Sequence, residues 1–106
     1  MPELPTPVAD FQVEISGDSA VVAVSGEIDI STAPLLRDRL QSLAAHRVTV
    51  DLSAMTFIDS TGLGVLVGAV KRLREDGGEM TLRAPSRSTR KVLDITGLAQ
   101  IVTIED

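Results

Sequence analysis

The sequence predicts an α/β fold: one domain built on a single mixed sheet, with a parallel core, an antiparallel hairpin at the start and helices mainly on one face. Three observations lead there. Residues Phe11 to Ile15 alternate apolar and polar side chains, and Gly17-Asp18 separates them from a second apolar run, which is a hairpin signal. Beyond residue 30, three further apolar runs are separated by segments with helical spacing of apolar residues, and parallel strands require such crossovers. Finally, 106 residues suffice for one core and little more. With 43% hydrophobic residues but only two Phe, no Tyr and no Trp, that core is built from Val, Leu, Ile and Ala.

Residues 1–10 contain Pro2, Pro5 and Pro7, which prevent regular pairing, and are expected to form a flexible arm ahead of a domain spanning 11–106. They carry no apolar run of signal-peptide type. The first strand, Phe11 to Ile15, has one wet side and is expected at the sheet edge; Ala20 to Ser25 is its hairpin partner. Gly26-Glu27-Ile28-Asp29 is expected to be a loop. Its two carboxylates have no histidine or metal-ligand partner nearby in sequence, so recognition suits them better than acid/base work.

Ser31 or Thr32 is expected to cap the next helix, and Pro34 fits its first turn, where the lost amide had no partner. Leu36, Leu40 and Leu43 face the core, and the helix is expected to end near Ala44-Ala45. His46, the only histidine, is expected to be a loop or helix-end residue. Arg47 to Leu52, rich in Val and Thr, is a central strand, followed by a turn.

Asp59-Ser60-Thr61 then opens the helix around which the chain is organised, with Leu63, Leu66, Val67, Val70 and Leu73 on one face. Gly62, Gly64 and Gly68 each cost about 1 kcal/mol relative to alanine in a helix interior, so something gains from the missing side chains. Close helix-on-sheet packing is the explanation considered for Gly68. Gly62 and Gly64, in the first turn, are expected to leave the backbone bare for the approach of another molecule. The helix N-terminus also receives anions well, through its free amides and its dipole. A phosphate on Ser60 would meet those donors while Asp59 caps.

Lys71 to Arg74 place positive charge at the helix end, and Gly77-Gly78 stops it. Glu79 to Ala84 is the next strand; residues 87–95 form a short helix burying Val92, Leu93 and Ile95, capped by Ser86 or Ser88 and closed by Gly97. Ile101 to Ile104 supplies the last strand. Arg83, Arg87, Arg90 and Lys91 form a local basic group, expected to be solvated.

A formal net charge of −5 argues against non-specific nucleic-acid binding and suits a basic partner surface. Without cysteine, disulfides and thiolate metal sites are excluded, which fits a cytoplasmic protein. No stretch approaches the ~20 apolar residues of a membrane span. Catalysis lacks its parts: Ser60 has no Gly-x-Ser-x-Gly elbow, and no Gly-Lys-Ser/Thr makes a phosphate loop. No metal or cofactor is called for, and nucleotide binding at the glycine-rich helix start stays open as an alternative.

The run Ile58-Asp59-Ser60-Thr61-Gly62-Leu63-Gly64 resembles the signature of the anti-sigma factor antagonists, the free-standing STAS domains of bacteria. Gly26-Glu27-Ile28-Asp29 with Thr32-Ala33 is similar to the family's second signature, and Gly77-Gly78-Glu79 and Thr96-Gly97-Leu98 fall where the family has like residues. The resemblance runs from about Phe11 to the C-terminus. It implies that the dephosphorylated protein binds an anti-sigma factor with serine kinase activity and releases a sigma factor. The kinase would inactivate it by phosphorylating Ser60, and a metal-dependent serine phosphatase would restore it. Asp29, Asp59, Ser60, Thr61, Gly62 and Gly64 would form the partner surface, with Asp29 meeting a basic residue of the partner. The residues alone leave Thr61 open as a second acceptor hydroxyl. They also leave open a monomer or a weak dimer, and an alternative role as an unphosphorylated STAS subunit of a membrane transport ATPase.

Overall fold

The computed structural model describes residues 9–106. The elements run β1 (Ala9–Ser16), β2 (Ser19–Ile28), α1 (Ala33–Gln41), β3 (Arg47–Ile58), α2 (Ser60–Glu75), β4 (Glu79–Arg83), α3 (Arg87–Thr96), a short 3-10 turn (Leu98–Gln100) and β5 (Thr103–Glu105). The five strands form one sheet in the order β1-β2-β3-β4-β5. β1 and β2 are antiparallel, and every other neighbouring pair is parallel. The predicted mixed sheet is therefore the observed one, with the first strand at its edge.

The core lies between one face of the sheet and the three helices. Val22 and Val24 of β2, Val48 and Val50 of β3 and Leu82 of β4 meet Leu36 and Leu40 of α1, Leu66 and Val70 of α2 and Leu93 of α3 in one cluster. Each side chain of this kind contributes about 1.5–3 kcal/mol by leaving water. The opposite face carries Thr49, Asp51, Thr81 and Arg83. There, Arg83 donates to Asp51 Oδ2 at 2.9 Å and ties β4 to β3.

Several boundaries differ from the sequence reading. The expected arm lies outside the described residues except for Ala9 and Asp10, which belong to β1. Ala9 is buried opposite Gly26 and continues the inward series of Phe11 and Val13. α1 ends at Gln41, where Ser42 turns its hydroxyl onto Arg39 O at 2.8 Å. Ile95 is exposed, whereas Leu93 beside it is fully buried, because α3 presents only a narrow apolar stripe to the core.

The larger correction concerns the C-terminal ends of β2 and β3. Neither Gly26–Ile28 nor the segment after Leu52 is a loop or turn: both strands continue to Ile28 and Ile58 and pair with each other beyond the end of β4. Two register shifts make this possible, each adding a residue to β3 relative to β2. The inward series of β3 accordingly steps from Val48, Val50 and Leu52 to Met55 and then Ile58, and each step of three marks a bulge. This two-stranded extension carries the β2–α1 and β3–α2 connections to one end of the molecule.

Candidate protein-binding site at the start of the second helix

Asp59 organises the junction. Its backbone is extended (φ −104°, ψ −175°), its carboxylate Oδ1 accepts from Gly62 N at 3.0 Å, and its carbonyl accepts from Leu63 N at 3.0 Å. Its own amide donates to Ile28 O at 3.1 Å, which locks the helix start to the end of β2. Asp59 thus completes the cap alone. Ser60 and Thr61, the first two helical residues, are exposed, and their amides make no hydrogen bond among the described residues. These free donors, with the positive end of the α2 dipole, favour a negative group at this point.

The glycines divide differently from the sequence reading. Gly62 is buried: a Cβ there would lie 2.6 Å from Ile28 Cγ2 and 2.8 Å from Ile58 Cγ1. Its missing side chain lets α2 sit down on the β2–β3 extension, so the close packing considered for Gly68 occurs here, and Gly62 does not belong to an approachable surface. Gly68 and Gly64 are both exposed, with nothing within 4 Å of a would-be Cβ. The fold gains nothing from these two glycines, which cost about 1 kcal/mol each relative to alanine.

Gly64 and Gly68 instead open a groove between α1 and α2, with a volume of 330 Å3, bordered by Thr61, Arg72 and, from α1, Arg37. Sequence reasoning missed this groove because its two walls belong to different helices separated in sequence by the whole of β3.

Asp29 lies on the adjacent connection, half-buried. One carboxylate oxygen, Oδ1, accepts from Ser31 N at 2.9 Å and Thr32 N at 3.2 Å. The expected side-chain cap by Ser31 or Thr32 is absent; Thr32 turns back instead, its hydroxyl donating to Glu27 O at 2.7 Å and accepting from Asp29 N at 2.9 Å. Asp29 thereby shapes the loop with one oxygen. Asp59 N on Ile28 O brings the two connections side by side, so Asp29 and Ser60 share one end of the molecule. Two apolar side chains are exposed near them, Ile30 (75%) and Phe57 (49%). The signal for Phe57 was an aromatic outside the apolar series of its strand.

Elsewhere, the basic group is partly neutralised: Arg83 pairs with Asp51, and Arg90 with Asp94 and Asp106. His46 lies at the opposite end of β3 from the site, its Nδ1 2.8 Å from Asp18 Oδ1. That contact holds the imidazole pKa above its ordinary value, and the same hydrogen bond holds the Asp18 carboxyl below its own. No helix among the described residues is long and apolar enough to cross a membrane.

The STAS domain family model matches residues 10–106. Among relatives, the anti-sigma-B factor antagonist of Bacillus subtilis is 40% identical over 85 residues, covering 78% of each chain. The anti-sigma F factor antagonist of Paenibacillus polymyxa is 32% identical over 103 residues, 92% of this chain and 88% of that one. The crystal structure of an anti-sigma factor antagonist from Mycobacterium paratuberculosis superimposes with a TM-score of 0.83 at 31% identity, covering 96% of this chain and 90% of that one. The chain belongs to the STAS domain family, among the anti-sigma factor antagonists.

Proposed function

We propose that this protein is a phosphorylation-controlled switch: unphosphorylated, it binds an anti-sigma factor that is also an ATP-dependent serine kinase, and so frees a sigma factor. The kinase turns it off by phosphorylating Ser60, and a serine phosphatase restores it. The module binds and is acted upon, and itself catalyses nothing. One observation carries the reading: Asp59 closes the helix cap by itself, leaving the Ser60 hydroxyl exposed beside unpartnered amides.

A phosphate on Ser60 adds about −1.5 to −2 charges. The helix N-terminus accommodates that charge in the free protein. In a complex the dianion would be desolvated beside Asp59 and near Asp29, and each ~1.4 kcal/mol of such cost is a tenfold loss of affinity. Asp29 keeps its second carboxylate oxygen for a basic partner residue, Thr61 follows Ser60 in the first turn, and Gly64 lies one turn further along the same helix.

The test is affinity capture from the native cytoplasm with ADP and magnesium, wild type beside Ser60→Glu and Ser60→Ala. The expected result is a small ATP-binding serine kinase retained by the wild type and Ser60→Ala and lost with Ser60→Glu. Ser60→Ala, unlike the wild type, should stay bound after ATP replaces ADP. Transport ATPase subunits retained equally by all three proteins would replace the reading with a transporter-docking role.

A further inference from the structure

We infer that the groove between α1 and α2 is a second docking surface for the same partner, and that it receives an acidic amphipathic helix of the anti-sigma factor. The inference rests on the partner proposed above and adds where, and with what chemistry, that partner is held.

The groove follows α2 from Thr61 to Arg72, about 16 Å of helix or three turns. Leu40, Val65 and Ala69 supply the apolar part of its lining, left open where Gly64 and Gly68 carry no side chain. A helix carrying apolar side chains at spacings of three and four residues seats them in such a trough.

Charge fixes the occupant's sign. In a chain with 15 acidic and 10 basic residues, the groove is lined by Arg37 and Arg72 and by no carboxylate. Arg72 makes no ion pair among the described residues, and Arg37 has only a loose one, 3.9 Å to Asp38, with both side chains more than half exposed. The two arginines come from different helices, so they border the groove on both walls and match carboxylates flanking an apolar stripe.

The groove begins at Thr61, next to Ser60, and is therefore continuous with the proposed switch surface. This gives phosphorylation a second point of action. A dianion at the mouth of the groove repels an acidic helix lying in it, whereas Asp29 and the Asp59 cap present negative charge to a different, basic part of the partner.

The test is equilibrium binding of the full chain to the kinase recovered with the wild-type protein, with thermal unfolding measured on the same samples. Gly68→Leu fills the trough and improves the helix, so its Tm should hold or rise while affinity falls at least tenfold. Arg37→Glu combined with Arg72→Glu should lose at least tenfold with Tm nearly unchanged. Wild-type affinity in both variants, with Ser60→Glu still unable to bind, would overturn the groove and leave the switch reading standing. If the wild type retains no such kinase, both fall. Weakened binding of inorganic phosphate by the double arginine variant, with kinase affinity unchanged, would make the groove a small-anion site and also overturn the inference.

Discussion

At the scale of single residues, the α2 glycines separate folding from surface function. Gly62 sits against Ile28 and Ile58, both branched at Cβ and held in paired strands, so an added methyl has nowhere to go. Gly62→Ala should destabilise by about 1–3 kcal/mol, the usual cost of overpacking. Gly68→Ala places its methyl in open space and should stabilise by up to about 1 kcal/mol. Urea unfolding of the two variants therefore gives shifts of opposite sign for the same substitution in one helix. A third glycine behaves like the first: a Cβ on Gly78 would run into the His46 carbonyl, backbone that cannot turn aside. Glycine content was legible in the sequence, but which of the α2 glycines packs was not. That depends on the strand pair beneath the helix, whose ends the sequence did not reveal.

At the scale of elements, caps and bulges decide where the chain turns. Ser86 accepts from Thr89 N at 3.1 Å and caps α3, remote in sequence from the Ser60 end. Ser86→Ala should cost about 0.5–2 kcal/mol in denaturant unfolding while affinity for the proposed kinase partner stays at the wild-type value. The caps at Asp59, Ser86 and Gly97 were readable because each is a local arrangement of residue type and spacing; Gly97 adopts φ +80° as expected of a residue closing a helix. The extension of β2 and β3 was harder to read. A strand that keeps strict alternation announces itself, but β3 changes phase twice, at Leu52 to Met55 and at Met55 to Ile58, and a step of three resembles helical spacing or a turn. Asp29 shows the same limit. Its candidate role was legible from its motif, whereas the arrangement in which one Asp29 oxygen gathers the Ser31 and Thr32 amides while Thr32 turns back to Glu27 depends on how β2 enters the loop. The Arg37–Arg72 groove had no linear signal at all, because it exists only once α1 and α2 are laid side by side.

At the scale of the whole molecule, two ion pairs bind the sheet across elements and give its stability a pH dependence with two separate limits. Asp18, in the β1–β2 turn, meets His46 at the entry to β3, and Asp51 of β3 meets Arg83 of β4. The Asp51 carboxyl is held below its ordinary value of 3.8, first by the Ser53 amide and hydroxyl and then by Arg83. The Asp18 carboxyl is lowered by its hydrogen bond to His46. A carboxyl with a depressed pKa contributes stability that is present above its unfolded value and lost as pH falls through its folded one, so both contributions should fade below about pH 4. His46 has the opposite sign. Its pKa is raised from 6.5 by the hydrogen bond to Asp18, so its contribution is complete below 6.5 and disappears as pH rises through the raised value. Urea midpoints should therefore be flat from about pH 4.5 to 6 and decline toward pH 8. In His46→Asn the decline above pH 6.5 should be absent while the acid limb set by Asp51 persists. Because His46 and Asp18 are both largely exposed, raising the ionic strength should shrink the alkaline decline in the wild type. A decline of equal size in His46→Asn would assign it to another group and leave the Asp18–His46 contact without a part in the pH response of the fold.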